Sequence, residues 1–150
     1  MRMIKPNRTI QPELTYNPRF RNGIAVCSFS IYLQPEAMVV HEWRGGLGNR
    51  RIGPRLVFRP DRLMIGEDET FLTPVPSDEW VYVEIECGLG RYAQVPAIFK
   101  VTVSIEQTPE PFEGLPCVSR RFRALDQCVF LGRVEEEESH SLDNIRIALR

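Results

Sequence analysis

Hydrophobic and polar residues alternate along most of this chain. From Ile24 to Leu33 one face reads Ala25, Cys27, Phe29, Ile31 and Leu33, and the other Val26, Ser28, Ser30 and Tyr32. Successive strand side chains point to opposite faces, so the segment predicts a half-buried strand. The turn signal Gln34-Pro35-Glu36 separates it from a second strand, Ala37 to Trp43. Arg55 to Arg59 and Arg62 to Ile65 predict a hairpin around Pro60-Asp61. Phe71 and Leu72 mark a short strand before the break at Pro74-Val75-Pro76. Trp80 to Cys87 is the cleanest alternation, with Val81, Val83, Ile85 and Cys87 inward and Trp80, Tyr82, Glu84 and Glu86 outward. Ile98 to Glu106 repeats it, with Phe99, Val101, Val103 and Ile105 inward and Lys100, Thr102, Ser104 and Glu106 outward. Cys128 to Val134 and Leu142 to Leu149 complete the set. No stretch of a dozen residues carries a helical stripe, and at most one helical turn fits near Glu135 to Glu138. Eight or more short strands with turn chemistry between them predict an all-β antiparallel sandwich or barrel. No fixed period repeats, which argues against a propeller or solenoid.

Length fits one domain over residues 1–150, since two complete cores need more chain than this. Of the 19 basic residues only Lys5 and Lys100 are lysines, and the net charge is -1. That balance argues against a protein built mainly to hold nucleic acid. No apolar run is long enough to span a membrane as a helix. The start, Met1 to Asn7, has no apolar core of a secretory signal, so export is expected only if the domain belongs to a larger exported protein. Asn7-Arg8-Thr9 matches the N-glycosylation pattern, which has meaning only in a eukaryotic secretory setting. The four cysteines, Cys27, Cys87, Cys117 and Cys128, form no C-x-x-C pair, which excludes a zinc ribbon. Four reduced thiols are expected; in an oxidising compartment Cys117 and Cys128, which flank a short segment, are the pair expected to bridge.

Three constellations carry candidate chemistry. Glu84 and Glu86 stand at i and i+2 on one strand and so share a face. Paired carboxylates on one face are what a retaining glycosidase uses as nucleophile and acid/base. They are equally two solvated charges on a wet sheet face. Trp80 and Tyr82 precede them on that face, where flat aromatics stack on sugar rings and Lys100, Thr102 and Ser104 of the next long strand supply polar contacts. The competing expectation is that Trp80 closes the strand start under a loop. His41, Glu42, Trp43 and Arg44 form a polar and aromatic knot in which Glu42 is expected to pair across strands with Arg55. His41 and His140 are too few and too far apart to predict a metal site. The arginines from Arg44 to Arg62 read as solvated strand faces, or more sharply as an anion site. Glu135 to Glu138 with Asp143 offer oxygen ligands to calcium without EF-hand spacing; otherwise no cofactor is expected.

The segment Trp80 to Gly90, Phe112-Glu-Gly-Leu-Pro116 and the ending Leu142-Asp-Asn-Ile-Arg-Ile147 resemble a concanavalin A-like jelly roll. More narrowly they are similar to laminin-G-like modules appended to bacterial polysaccharide-active and β-helix proteins, and His41 to Arg44 with Ile52 to Leu56 fits the same type. The resemblance spans Leu14 to Ile147. It implies a jelly-roll lectin fold and a role as a non-catalytic carbohydrate-binding or accessory module. Glucanases of this fold carry Glu-x-Asp-x-Glu on one strand; here the middle place is Glu86 and the third is Gly88, an incomplete set. Such modules begin with a strand that pairs with the last one, and Arg8-Thr-Ile10 is the segment available for it, which leaves open that the domain is a piece of a larger protein. The resulting expectation is a glycan bound at Trp80, Tyr82, Lys100 and Thr102. The alternatives are a glycoside hydrolase using Glu84 and Glu86, and a structural or protein-binding module.

Overall fold

The computed structural model describes residues 2–4, 13–46, 48, 50–133 and 139–150. Two six-stranded sheets, antiparallel throughout, face each other across one core. Sheet A runs in the order β1 (Arg2–Ile4), β12 (Ser139–Leu149), β3 (Gly23–Leu33), β8 (Trp80–Leu89), β9 (Ile98–Ile105) and β10 (Thr108–Pro116). Sheet B runs β2 (Glu13–Tyr16), β11 (Gln127–Arg133), β4 (Met38–Gly45), β5 (Arg51–Arg59), β6 (Arg62–Ile65) and β7 (Thr70–Thr73). The chain changes sheet at each step from β1 to β4, between β7 and β8, and at each step from β10 to β12; in between it runs as two meanders, β4 to β7 in sheet B and β8 to β10 in sheet A. The result is the antiparallel sandwich expected from the alternation, of the jelly-roll type that the resemblance implied.

The predicted facings hold. Val81, Val83 and Ile85 of β8 meet Phe99, Val101 and Val103 of β9 and Phe29 and Ile31 of β3 in the core, with Phe130 of β11 closing from sheet B and Ile145 packed at the margin. Perpendicular aromatic contacts tie the two sheets, Phe29 to Phe130 at 5.0 Å and to Phe58 at 6.0 Å between ring centres. The hairpin at Pro60-Asp61 also forms. Pro60 presets its own φ, and Asp61 takes the left-handed conformation at φ 73° that lets Arg62 pair with Arg59.

Two expectations need correction, and one strand was not foreseen. The strand that pairs with the last one is β1, Arg2–Ile4, antiparallel to β12; Arg8-Thr-Ile10 and the Asn7 motif lie outside the described residues. The segment Thr108 to Pro116, which shows no alternation, is the edge strand β10. Pro109, Pro111 and Pro116 lack the N–H that a central strand would need, and an edge position with a bulge between Phe112 and Leu115 tolerates them. Cys117 and Cys128 are not neighbours. Cys117 lies against Cys87 of sheet A, and Cys128 faces Cys27 across the core. All four are free thiols and buried. The thiols of Cys117 and Cys128 are pushed up by the hydrogen bond each shares with its partner sulfur, and further by burial. The single turn expected near Glu135 to Glu138 falls outside the described residues. Among the described residues no helix is long and apolar enough to cross a membrane.

Candidate functional site

Strand register lays the outer face of sheet A out in rows. Tyr32 lies beside Trp80; Ser30, Tyr82 and Ser104 form the next row; then Ser28, Glu84 and Thr102; then Val26, Glu86 and Lys100. Same-face residues on a strand are about 7 Å apart, so the rows from Trp80 to Glu86 cover about 20 Å. Trp80 is 47% exposed and Tyr82 40%. The Trp80 ring leans on Tyr32 at 5.5 Å with a 60° tilt, which fixes it without covering it. Trp80 therefore stands on the surface, and the expectation that a loop buries it fails: the preceding segment turns away toward Leu33, whose carbonyl accepts from the Asp78 N–H.

Two hollows open on this face. The first, about 420 Å³, is lined by Ser30, Trp80, Tyr82, Ser104, Glu106 and Gln107. Its far wall is the two-residue turn between β9 and β10, in which Glu106 and Gln107 both hold positive φ, 53° and 65°. Hairpin turns of this kind are normally made by Asn-Gly, and a left-handed non-glycine residue costs about 1–2 kcal/mol. Two long polar side chains are thus held beside the aromatics at a cost. The second hollow, about 600 Å³, lies at the other end of β8 and includes Glu86, Gly88, Tyr92, Gln94, Lys100 and Glu113 in its lining. A side chain at Gly88 would place its Cβ 2.0 Å from the Tyr92 carbonyl oxygen, so glycine there lets the short helical turn Gly90–Tyr92 fold over the strand end.

The four residues expected to bind ligand share the face but not one hollow. Trp80 and Tyr82 line the first, Lys100 the second, and Thr102 the row between them. Ser104 joins the aromatics as anticipated, while Ser30, Glu106 and Gln107 were missed as lining residues. Ser30 and Glu106 carry the alternation signal that marks the face; Gln107 carries none, because only the turn's backbone directs it there. Glu84 and Glu86 do project from one face, as expected; Glu86 lines the second hollow, and Glu84 is in the lining of neither of these two. Glu86 is ion-paired with Arg150 and lies 3.8 Å from the Lys100 ammonium, which in turn lies 3.6 Å from Glu113.

The outer face of sheet B differs. Val40, Val57 and Met64 form a small buried apolar cluster flanked by Met38 and Leu131. Glu42 bonds Arg44 at 2.9 Å and lies 3.6 Å from the Arg55 guanidinium, the expected cross-strand pair. Arg59 pairs with Glu69. His41 and Trp43 point into the core instead. Trp43 Nε1–H donates to His41 Nε2 at 3.0 Å, and because an indole N–H only donates, His41 Nδ1 is left to donate to the Val129 carbonyl at 3.1 Å. His41 is thereby a satisfied core residue. Among the described residues no cluster of His, Cys, Asp and Glu could hold a metal ion. The acidic run proposed for calcium lies outside them.

No family model matches the chain, and no curated protein matches it. Solved structures do. The PL-14 alginate lyase from Aplysia kurodai aligns with a TM-score of 0.57 at 10% identity, over 86% of this chain and 70% of that one. A mutant of alginate lyase Aly36B in complex with alginate trisaccharide aligns at 0.57 and 6% identity, over 91% and 75%. An ancestral congerin aligns at 0.50 and 10%, over 91% and 99%. At these identities the likeness establishes the shared jelly-roll sandwich and nothing of the chemistry.

Proposed function

We propose that this domain is a non-catalytic glycan-binding module of the accessory type, and that its ligand lies along β8 on the outer face of sheet A, seated first on Trp80 and Tyr82. The observation that carries this reading is the pair of exposed aromatics over one hollow, ringed by the hydroxyls of Ser30 and Ser104 and the side chains of Glu106 and Gln107. Flat rings meet the apolar faces of sugars, and adjacent polar groups meet their hydroxyls. Aromatic side chains lose little entropy on binding, which suits weak, multi-site contact with a polymer. Support comes also from the complex of a structural neighbour, a mutant of alginate lyase Aly36B, with alginate trisaccharide, in a sandwich of the same type. Sheet B offers less, since its central outward residues are buried and Glu42 already holds Arg44 and Arg55.

Affinity for a single chain segment is expected at about micromolar to millimolar. A polysaccharide-affinity gel across a panel of neutral glycans tests the idea with Trp80→Ala/Tyr82→Ala. The expected result is lost retention with an unchanged circular dichroism spectrum. Retention that survives the double substitution would dismiss the platform as the glycan's seat, and a double variant that unfolds would make Trp80 a core residue and favour the structural module.

A further inference from the structure

One end of the sandwich is strongly basic, which the net charge of -1 conceals. The acidic β6–β7 turn, residues 66–69, opens toward this end but stops at the height of Arg55. The connections at the end itself are residues 17–22, 46–50, 90–97 and 117–126. Together they carry seven arginines and one carboxylate, Asp126. That carboxylate is spoken for by Arg21 and by the Gly46 N–H at 3.0 Å.

A third hollow, about 260 Å³, opens here between Arg51 at the start of β5, the segment Ala93 to Val95, and Arg121 to Arg123. Its walls are held by backbone hydrogen bonds on both sides. Ser119 N–H donates to the Ile52 carbonyl at 2.6 Å and Val118 N–H to that of Gly53 at 3.1 Å; Gly90 N–H donates to the Arg123 carbonyl and Ala97 N–H to that of Arg120, each at 2.9 Å. The floor is Phe122, fully buried against Gly53, where any Cβ would sit 2.5 Å from the ring. The site is therefore built and not a gap between loose loops.

Three arginines line it, Arg51, Arg121 and Arg123. Arg51 donates to the Arg121 carbonyl at 3.4 Å and Arg123 to the Gly90 carbonyl at 3.0 Å. Among the described residues no carboxylate pairs with Arg51, Arg121 or Arg123. Elsewhere the chain neutralises its clustered arginines, Arg44 and Arg55 with Glu42 and Arg59 with Glu69. Three like charges facing one hollow repel, and each guanidinium keeps planar pairs of donors suited to an oxyanion. Gln94 lines both this hollow and the one at the end of β8, so the two are neighbours.

We propose that this hollow is an oxyanion site, and that it receives a sulfate or carboxylate group of an acidic glycan whose chain continues onto the outer face of sheet A. The second half rests on the glycan-binding reading above; the arginine site does not. Binding of dextran sulfate and of unsulfated dextran is measured by calorimetry at low and physiological ionic strength. Variants are Arg121→Gln/Arg123→Gln, Arg51→Gln/Arg121→Gln, which leaves the Arg123 bond to Gly90 intact should the first unfold, and the control Arg59→Gln/Arg62→Gln. A charge-assisted hydrogen bond lost is worth about tenfold or more in affinity, so each site variant should weaken dextran sulfate binding by about a hundredfold while the control changes little. Equal losses in site and control variants would reduce the effect to diffuse charge and overturn the site, as would full binding in the site variants. Duplex DNA competing as well as dextran sulfate would overturn the glycan as its ligand. Trp80→Ala/Tyr82→Ala separates the readings: if it leaves dextran sulfate binding intact while the arginine variants abolish it, the oxyanion site stands and the platform falls.

Discussion

The His41–Trp43 bond makes a quantitative test of the core. Both residues are fully buried, with the imidazole stacked on Phe130 at 4.2 Å and edge-on to Phe29 at 5.1 Å. His41→Phe keeps a ring of nearly the same shape and deletes two polar atoms. Trp43 Nε1–H then has no acceptor and no water, a cost of about 1–3 kcal/mol. The Val129 carbonyl, which has a second lone pair, loses less. The sum is about 2–3 kcal/mol, and a domain of this size loses about 2–4 °C of Tm per kcal/mol, so the variant should melt roughly 4–12 °C lower. Trp43→Phe removes the donor, leaves a space and orphans His41 Nε2, costing about 2–4 kcal/mol. In the double variant neither orphan exists. Urea denaturation of all four proteins should therefore show the double substitution less costly than the sum of the singles by about 1–2 kcal/mol. Additivity within about 0.5 kcal/mol would mean the bond contributes nothing, and a His41→Phe protein melting at the wild-type temperature would refute the burial argument as well.

Other outcomes follow from the same geometry. Val83→Asp places an unpaired charge in the centre of the core, where Val83 is inaccessible, and should lower stability by several kcal/mol, about 3–5 at least, in a denaturant titration. Gln107→Gly relieves one left-handed residue and should raise Tm by about 2–4 °C for about 1 kcal/mol, while weakening glycan retention if the Gln107 side chain is a contact. Burial by itself raises the Asp126 carboxyl, but the Gly46 N–H bond and the charges of Arg21 and Arg19 outweigh it and hold the group below its ordinary value of 3.8. A depressed carboxylate contributes stability that is fully present above its unfolded pKa and is lost as pH falls through the folded one. The Tm deficit of Asp126→Asn should accordingly be constant at neutral pH and shrink only as pH drops below 3.8; a deficit that persists unchanged in strong acid would remove the ion pair from the account.

The alternation of β3, β8 and β9 by itself determined that the chain is all-β, which of their residues enter the core, and the outward set Trp80, Tyr82, Glu84, Lys100 and Thr102, because a strand's period of two binds sequence parity to facing. The pairing of Glu42 with Arg55 was legible for the same reason. Edge elements were not. β10 carries three prolines and a bulge, so its pattern is erased, and an edge strand needs pairing on only one side. Parity also says nothing about partners across the sandwich. Cys27 meets Cys128 and Cys87 meets Cys117 because sheet order and chain crossing bring them together. The sequence placed His41 on one face with Trp43 but could not show that face as core, where Trp43 and Val129 supply its two partners. The division of the expected site into two hollows came from register, which sets Lys100 opposite Glu86 and Tyr82 opposite Ser104. The arginine hollow was furthest from view. Arg51 lies about seventy residues from Arg121 and Arg123 along the chain, and only the docking of residues 117–126 between β5 and the 90–97 connection gathers their charges, a long-range event that no local pattern encodes.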